Sequence, residues 1–294
     1  TIAGGGLLVG CSFSSPKLLS TPHASEEELG MWIRISTDNK ITLIVPSSEM
    51  GQQAHTGQAM LVAEELEVDW ETIRVLTAPY HSEFINPGAD PRGLQVTGGS
   101  TSISTFWEKL RQVGAGTREM LTAASAQQWG VSVEECKAEN GQIFHTPSGR
   151  SLNYGQLVIA ASKMSPPDSP VLKTSDQFRL IGKPILKLHT PARVSGTAQY
   201  GIDVRRPGML FATVSQSPVF GGQVKSFDEA AAKAVKGVEA VVPIPNGVAV
   251  VADSTWHAKQ GLEALKPHFE GGESVGLDST KVTARLRAAL DEMG

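Results

Sequence analysis

The sequence predicts an α+β fold in two successive parts, and three observations carry that reading. Thirty glycines and 17 prolines suit short strands and turns better than a helical bundle. Short β-branched and apolar runs alternate with longer stretches of helical period. From Gly196 onward the order becomes strand, helix, strand, strand, helix, which describes a small α+β module. The 294 residues, 40% of them hydrophobic, are enough for one large or two medium domains.

The elements follow in chain order. Residues Ala3 to Ser12 form an apolar, glycine-rich run too short to span a bilayer. The run resembles the tail of an export signal's apolar region. Leu8-Val9-Gly10-Cys11 also resembles a lipobox, whose cysteine would carry lipid; the plainer reading is a signal remnant with an incidental cysteine. Residues 1–28 are therefore read as export-signal remnant and linker. They place the protein in the periplasm, associated with a membrane through a signal anchor or a lipidated Cys11. No later segment is apolar enough to span.

Trp32 to Ile35 and Ile41 to Pro46 read as strands joined by a turn at Asp38-Asn39-Lys40. A polar loop, Ser47 to Thr56, precedes a helix with Met60, Leu61, Ala63 and Leu66 on its apolar side. Ile73 to Leu76 is a strand. The stretch from Tyr80 to Leu94 is a long loop, and such loops are usually functional or mobile. Gln95 to Ser102 leads into a helix with apolar residues at Ile103, Phe106, Trp107, Leu110, Val113 and Leu121. If this segment normally packs on further chain, that helix is expected to keep part of its apolar face uncovered.

Cys136 to His145 reads as a hairpin turning at Asn140-Gly141, and Tyr154 to Ala161 as a helix. The breaker cluster Ser165 to Pro170 opens a linker, 166–189. In the second part, Met209 to Val214, Val238 to Val242 and Gly247 to Ala252 are strands. Ser226 to Ala234 is a helix with Ser226 as its cap. Thr255 to Leu265 is another, capped by Asp253 or Ser254.

Composition excludes several classes. The net charge is −4, from 26 basic and 30 acidic residues, with no long basic run. No nucleic-acid partner is therefore expected. The two cysteines, Cys11 and Cys136, cannot supply a four-cysteine cluster or zinc site. No His, Cys and carboxylate set has metal-ligand spacing. Neither a phosphate-binding loop with Lys nor a Gly-x-Ser-x-Gly elbow occurs.

Two polar, glycine-bearing loops carry the candidate site. Each is read as leading straight into a helix, whose N-terminal N–H groups and dipole favour an anion. In the first, Gly51 allows close backbone approach, Gln52 and Gln53 offer amides, and Thr56 offers a hydroxyl. In the second, Gly98 and Gly99 give approach, and Ser100 and Thr101 give hydroxyls. Together they suit a polar, phosphorylated cofactor held without positive charge; ordinary helix capping is the competing reading. His55 reads as a polar contact and His189 as a surface or hinge residue. Glu64 and Glu65 read as solvated or structural helix carboxylates, and Trp107 and Trp129 as core.

Ser48-Glu49-Met50-Gly51-Gln52, with Ala63-Glu64-Glu65-Leu66 and Val68-Asp69-Trp70, is similar to the molybdopterin-binding region of the xanthine dehydrogenase and aldehyde oxidase superfamily. Isoquinoline 1-oxidoreductase beta subunits and membrane-associated aldehyde dehydrogenases resemble it most. Thr97 to Ser102 looks like that group's second cofactor loop. Thr190 to Val204, followed by Pro207-Gly208-Met209-Leu210, resembles the start of its α/β hammerhead domain. Pro218 to Gly222 and Val248 to Ala252 continue the likeness, which covers Trp32 to Phe269.

The resemblance implies a molybdopterin-binding domain segment at 29–165, a hammerhead domain at 190–272, and the start of a further segment at 273–294. It implies molybdopterin cytosine dinucleotide, touched by Gly51, Gln52, Gln53 and Thr56 in the first loop. Gly98, Gly99, Ser100 and Thr101 would touch it in the second. The implied reaction hydroxylates an aldehyde or N-heterocycle with oxygen from water. Implied partners are the downstream part of the large subunit, a small two-cluster iron–sulfur subunit and a cytochrome c subunit. Relatives commonly carry glycine where this chain has Gln53. Their catalytic glutamate lies near the C-terminus of a longer subunit, so no catalytic residue is assigned here. The alternative is a non-catalytic cofactor-binding or assembly module.

Overall fold

The computed structural model describes residues 6–9, 31–89 and 92–292; Cys11 and its lipobox lie outside them. The chain divides into two compact units, Thr1–Ala198 and Gln199–Gly294, and both mix helices with sheets.

In the first unit, β1 (Gly6–Val9), β2 (Ile33–Ser36), β3 (Ile41–Val45) and β4 (Ile73–Thr77) form a sheet in that order. Alternation decides the faces: Ile33 and Ile35 are fully buried, with Arg34 between them turned outward. β3 and β4 run parallel, so a crossover must join them, and α1 (Ala54–Leu66) supplies it. Helix α2 (Trp107–Trp129) packs along α1. Gly114 makes the close approach possible, because a Cβ there would lie 2.5 Å from the Val62 carbonyl oxygen.

The strands β5 (Cys136–Glu139), β6 (Gln142–His145) and β7 (Arg150–Asn153) form a second antiparallel sheet. Its first hairpin turns at Asn140 and Gly141, both at positive φ, as the sequence predicts. Helix α3 (Tyr154–Ala161) closes the core. Trp32, Leu43, Leu66, Leu110, Leu121 and Tyr154 are all fully buried there, each worth roughly 1.5–3 kcal/mol as an apolar side chain.

Several expectations change. Helix α2 begins at Trp107, not Ile103, and turn residues separate it from the second polar loop. That loop is therefore not at a helix N-terminus. Phe106 and Leu110 are buried, and only Trp107 of that trio is exposed, at 37%; Trp107 is thus not core. The Arg111 guanidinium lies 5.6 Å from its ring centroid. Residues 166–189 do not hang free between domains. They are fixed on α1 by ion pairs and by backbone N–H groups that donate to Glu64 and Glu65. A segment without regular structure needs such partners for its buried amides. The unit also extends beyond them, through the short helix α4 (Thr190–Val194).

The second unit holds β8 (Phe211–Gln216), β9 (Gln223–Ser226), α5 (Glu229–Lys233), β10 (Val238–Ile244), β11 (Gly247–Ala252), α6 (Thr255–Leu265), β12 (His268–Glu270) and α7 (Ser279–Glu292). An antiparallel sheet runs β10-β11-β8, and β9 pairs with β12. Ser226 does not cap α5. It pairs with His268 in β9, and Asp228 instead accepts from the Ala231 N–H at 2.9 Å. Ser254 caps α6 as predicted. The core is small: Ala232, Val248, Val250 and Leu265. Gly261 lets α6 seat on the sheet, since a Cβ would meet Val238 and Val250 at 2.7 and 2.8 Å.

Candidate functional site

The two polar loops meet. The Ser48 N–H donates to Thr97 Oγ1 at 2.8 Å. Behind that bond, buried Gln58 donates to the Ser102 carbonyl at 2.8 Å and to Ser47 Oγ at 2.9 Å. Residues separated by about fifty positions are thus tied at two points. Gly51, Gln52, Gln53, Gly99 and Ser100 all face solvent on the resulting surface. Gly51 has φ 103 and Gly99 φ 61; Gln53 and Ser100 adopt positive φ at 72 and 56. Such backbone favours glycine, so Gln53 and Ser100 hold conformations that are costly for residues with side chains.

Two of the predicted contact residues have hydroxyls engaged within the chain. Thr56 is buried, and its Oγ1 accepts from the Leu188 N–H at 3.2 Å. Thr101 Oγ1 donates to the Gly98 carbonyl and accepts from Asn86. Both hydroxyls hold loops in place and are not presented outward. Gln52 is also partly engaged: its Nε2 donates to the Ser48 carbonyl, and its Oε1 accepts from the Met50 N–H.

The N-terminus of α1 already has its anion, and sequence reasoning missed it. Glu49 Oε1 accepts from the N–H groups of Gly51 and Gln53 at 2.8 and 3.2 Å, and Oε2 from that of His55 at 3.2 Å. Burial works against the charged carboxylate, yet the Gln53, Gly51 and His55 amides outweigh it and hold Glu49 below its ordinary pKa. The available signal was an acid placed a few residues before the helix start.

His55 has a partner the sequence does not suggest. Its Nδ1 lies 3.0 Å from His189 Nε2, and its Nε2 lies 3.0 Å from the Ser47 carbonyl. His189 is therefore half-buried against α1, not a surface or hinge residue. Burial, then the His189 charge, lowers the His55 pKa against the pull of Glu49.

Glu64 and Glu65 are fully buried and structural, as one of the sequence readings has them, but not solvated. Glu64 pairs with Lys173 at 2.7 Å, and Glu65 pairs with Arg111 at 2.7 Å and Arg118 at 3.4 Å. Neither carboxylate is available as a base. A cavity of about 640 Å³ opens between Glu67, Arg118, Met120, Val133, Met164 and Leu172, and no residue of either loop lines it. Its Lys173 and Arg118 already serve Glu64, Glu65 and Glu67. The paired loops therefore remain the candidate.

Residues 3–204 match the family described as molybdopterin cofactor-binding domain. The chain belongs to this family. It is 32% identical over 266 residues to isoquinoline 1-oxidoreductase subunit beta of Brevundimonas diminuta, covering 79% of this chain and 34% of that protein. It is 31% identical over 287 residues to membrane-bound aldehyde dehydrogenase [pyrroloquinoline-quinone] of Gluconacetobacter polyoxogenes, covering 92% and 36%. The chain thus spans about a third of the length of these relatives. A Cu,Mo-CO dehydrogenase structure matches 44% of this chain and 16% of that one, at 16% identity and a TM-score of 0.34, too low to carry an argument.

The surface of the paired loops fits a molybdopterin's chemistry in part. Gln52, Gln53 and Ser100 are exposed donors and acceptors suited to a heterocycle's edge. A Cβ built on Gly51 would touch nothing within 4 Å, so the backbone there is open to approach. An additional phosphate at the start of α1 does not fit while Glu49 holds those amides.

Proposed function

We propose that this molybdopterin-binding segment contributes the paired loops 47–53 and 97–101 to one wall of a cofactor site in a larger subunit. The whole enzyme would hydroxylate aldehydes or N-heterocycles with water as oxygen source. The tie between Ser48 and Thr97 is the observation that carries the reading, because it turns two distant family motifs into one surface. The group would be molybdopterin cytosine dinucleotide, which supplies the oxygen transfer and accepts the electrons. Residues of this chain bind and orient it: Gln52, Gln53 and Ser100 at its polar edges, with Gly51, Gly98 and Gly99 at close backbone approach. Family resemblance further supports a hammerhead module in the second unit and electron transfer to a two-cluster iron–sulfur subunit and a cytochrome c subunit, while the export-signal reading of residues 1–28 supports a periplasmic location.

Glu49, Glu64 and Glu65 are all committed to amides or cations, so the catalytic base would come from elsewhere. The test is cofactor extraction from the chain produced in cells that make cytosine-containing molybdopterin. Molybdenum bound with that pterin is the expected result. The quinone named for the Gluconacetobacter relative, recovered instead, would refute the proposal. A chain that retains neither, alone or joined to the remainder of the subunit, would leave the non-catalytic assembly module as the better reading.

A further inference from the structure

Residues 187–193, which run from the segment read as linker into the motif resembling the hammerhead start, have a place in the fold that the proposed function does not use. Three side chains from 187–193 reach the first cofactor loop at three different points. Lys187 Nζ donates to the Gly51 carbonyl at 2.8 Å. His189 Nε2 sits 3.0 Å from His55 Nδ1. Arg193 lies 3.6 Å from Glu49 Oε1, the oxygen that also accepts from Gly51 and Gln53. Between Lys187 and His189, the Leu188 N–H donates to Thr56 on α1. At its start the loop is also held by Gln58 on Ser47 and by the Ser48–Thr97 tie; the contacts from 187–193 reach its later part, from Glu49 to Thr56.

We propose that Lys187, His189 and Arg193 form a positioning clamp for the first cofactor loop, with Arg193 acting through Glu49. The purpose of the clamp rests on the cofactor reading; its existence does not. Arg193 keeps Glu49 aimed at the loop amides, since a carboxylate paired on its outer side has less freedom to turn away to water. Lys187 fixes Gly51, the residue with the most open backbone on the surface. None of the three touches the cofactor face in this account, so they are positioning residues and not binding ones.

Site-resolved hydrogen exchange on the full chain tests it. Arg193→Ala should speed exchange of the Gly51, Gln53 and His55 amides about tenfold, leaving β2 and β3 amides unchanged. Arg193→Lys should restore most of the protection, because charge and reach survive. Lys187→Met should loosen Gly51 without affecting the Leu188 amide. Unchanged loop exchange in Arg193→Ala, or equal loosening throughout the unit, would overturn the clamp. Pterin retained by each variant is measured in parallel. Several-fold less pterin on Arg193→Ala than on wild type supports the purpose, and equal retention overturns it. A wild-type chain that holds no pterin counts against the proposed function, while exchange still decides the clamp.

Discussion

Replacing Glu64 with alanine should be among the most damaging single changes in the first unit. Its fully buried carboxylate accepts from the backbone N–H groups of Arg179, Leu180 and Ile181 at 2.9, 2.6 and 3.0 Å, and from Lys173 Nζ at 2.7 Å. Alanine would orphan three amides, each costing about 1–3 kcal/mol if it stays buried. Breaking a buried ion pair costs about 3–5 kcal/mol. These two figures describe overlapping losses, and Lys173 retains Glu67 at 2.6 Å, so the expected cost is about 3–5 kcal/mol in all. For a unit of this size that lowers Tm by roughly 6–20 °C. The loss must also depend on pH. Burial raises the Glu64 pKa, but Lys173 and the three amides outweigh it and hold the carboxyl below its ordinary 4.5. Its ionisation therefore stabilises the fold fully above about 4.5 and ceases to do so as pH falls through the lower folded value. Glu64→Gln separates this part from packing: its deficit against wild type should shrink as pH falls below 4.5. Thermal melts of the full chain by circular dichroism at several pH values measure both. A Glu64→Ala cost below about 1 kcal/mol, or a Glu64→Gln deficit that is the same at all pH values, would refute the reasoning.

Three further outcomes are expected. Gln53→Gly should be tolerated or slightly stabilising by urea unfolding, because relief of left-handed backbone worth about 1–2 kcal/mol exceeds glycine's entropy cost of about 0.5–1 kcal/mol; a loss above 1 kcal/mol would contradict this. Gly114→Ala should cost about 1–2 kcal/mol despite alanine's better helix propensity, since the added methyl meets the Val62 carbonyl on α1, and a gain in Tm would show that the helices can part without penalty. Tyr154→Phe removes the 2.7 Å bond from its buried hydroxyl to the Leu66 carbonyl and should cost about 1 kcal/mol or slightly more, read from the midpoint of denaturant unfolding.

Local pattern made much of the fold legible. The sheet of β2, β3 and β4 was readable from β-branched runs, the hairpin from Asn140-Gly141, and the start of α6 from its capping serine, Ser254. What failed was nonlocal. Residues 166–189 read as linker because the breaker cluster Ser165 to Pro170 opens them. Their order comes from Glu64 and Glu65, about a hundred residues earlier, which the sequence presents only as two acids on a helix. The start of α2 was misplaced because Ile103 extends the apolar period into residues that form turns. α7 was not found, and its Val282, Leu286 and Leu290, 40 to 67% exposed, mark an amphipathic face with little burial to reveal it.

The site shows the same division, with a chemical consequence. Glycines and amides drew attention to both loops, and those residue types allow the exposed, left-handed backbone found there. The inference that such a loop awaits an external anion omitted the competing anion in the chain. Glu49 is two residues from Gly51 and six from His55, so it reaches their N–H groups with little loss of chain entropy. A phosphate arriving from solution would have to displace it and leave a carboxylate near the half-buried His55–His189 pair. On the proposed cofactor reading, the first loop would recognise a neutral edge through Gln52, Gln53 and exposed backbone, with Glu49 keeping α1 capped. In that arrangement the loop's shape depends on a carboxylate that Arg193 approaches from its outer side. Arg193 and the first polar loop are then parts of one structural unit, though about 140 residues of sequence separate them.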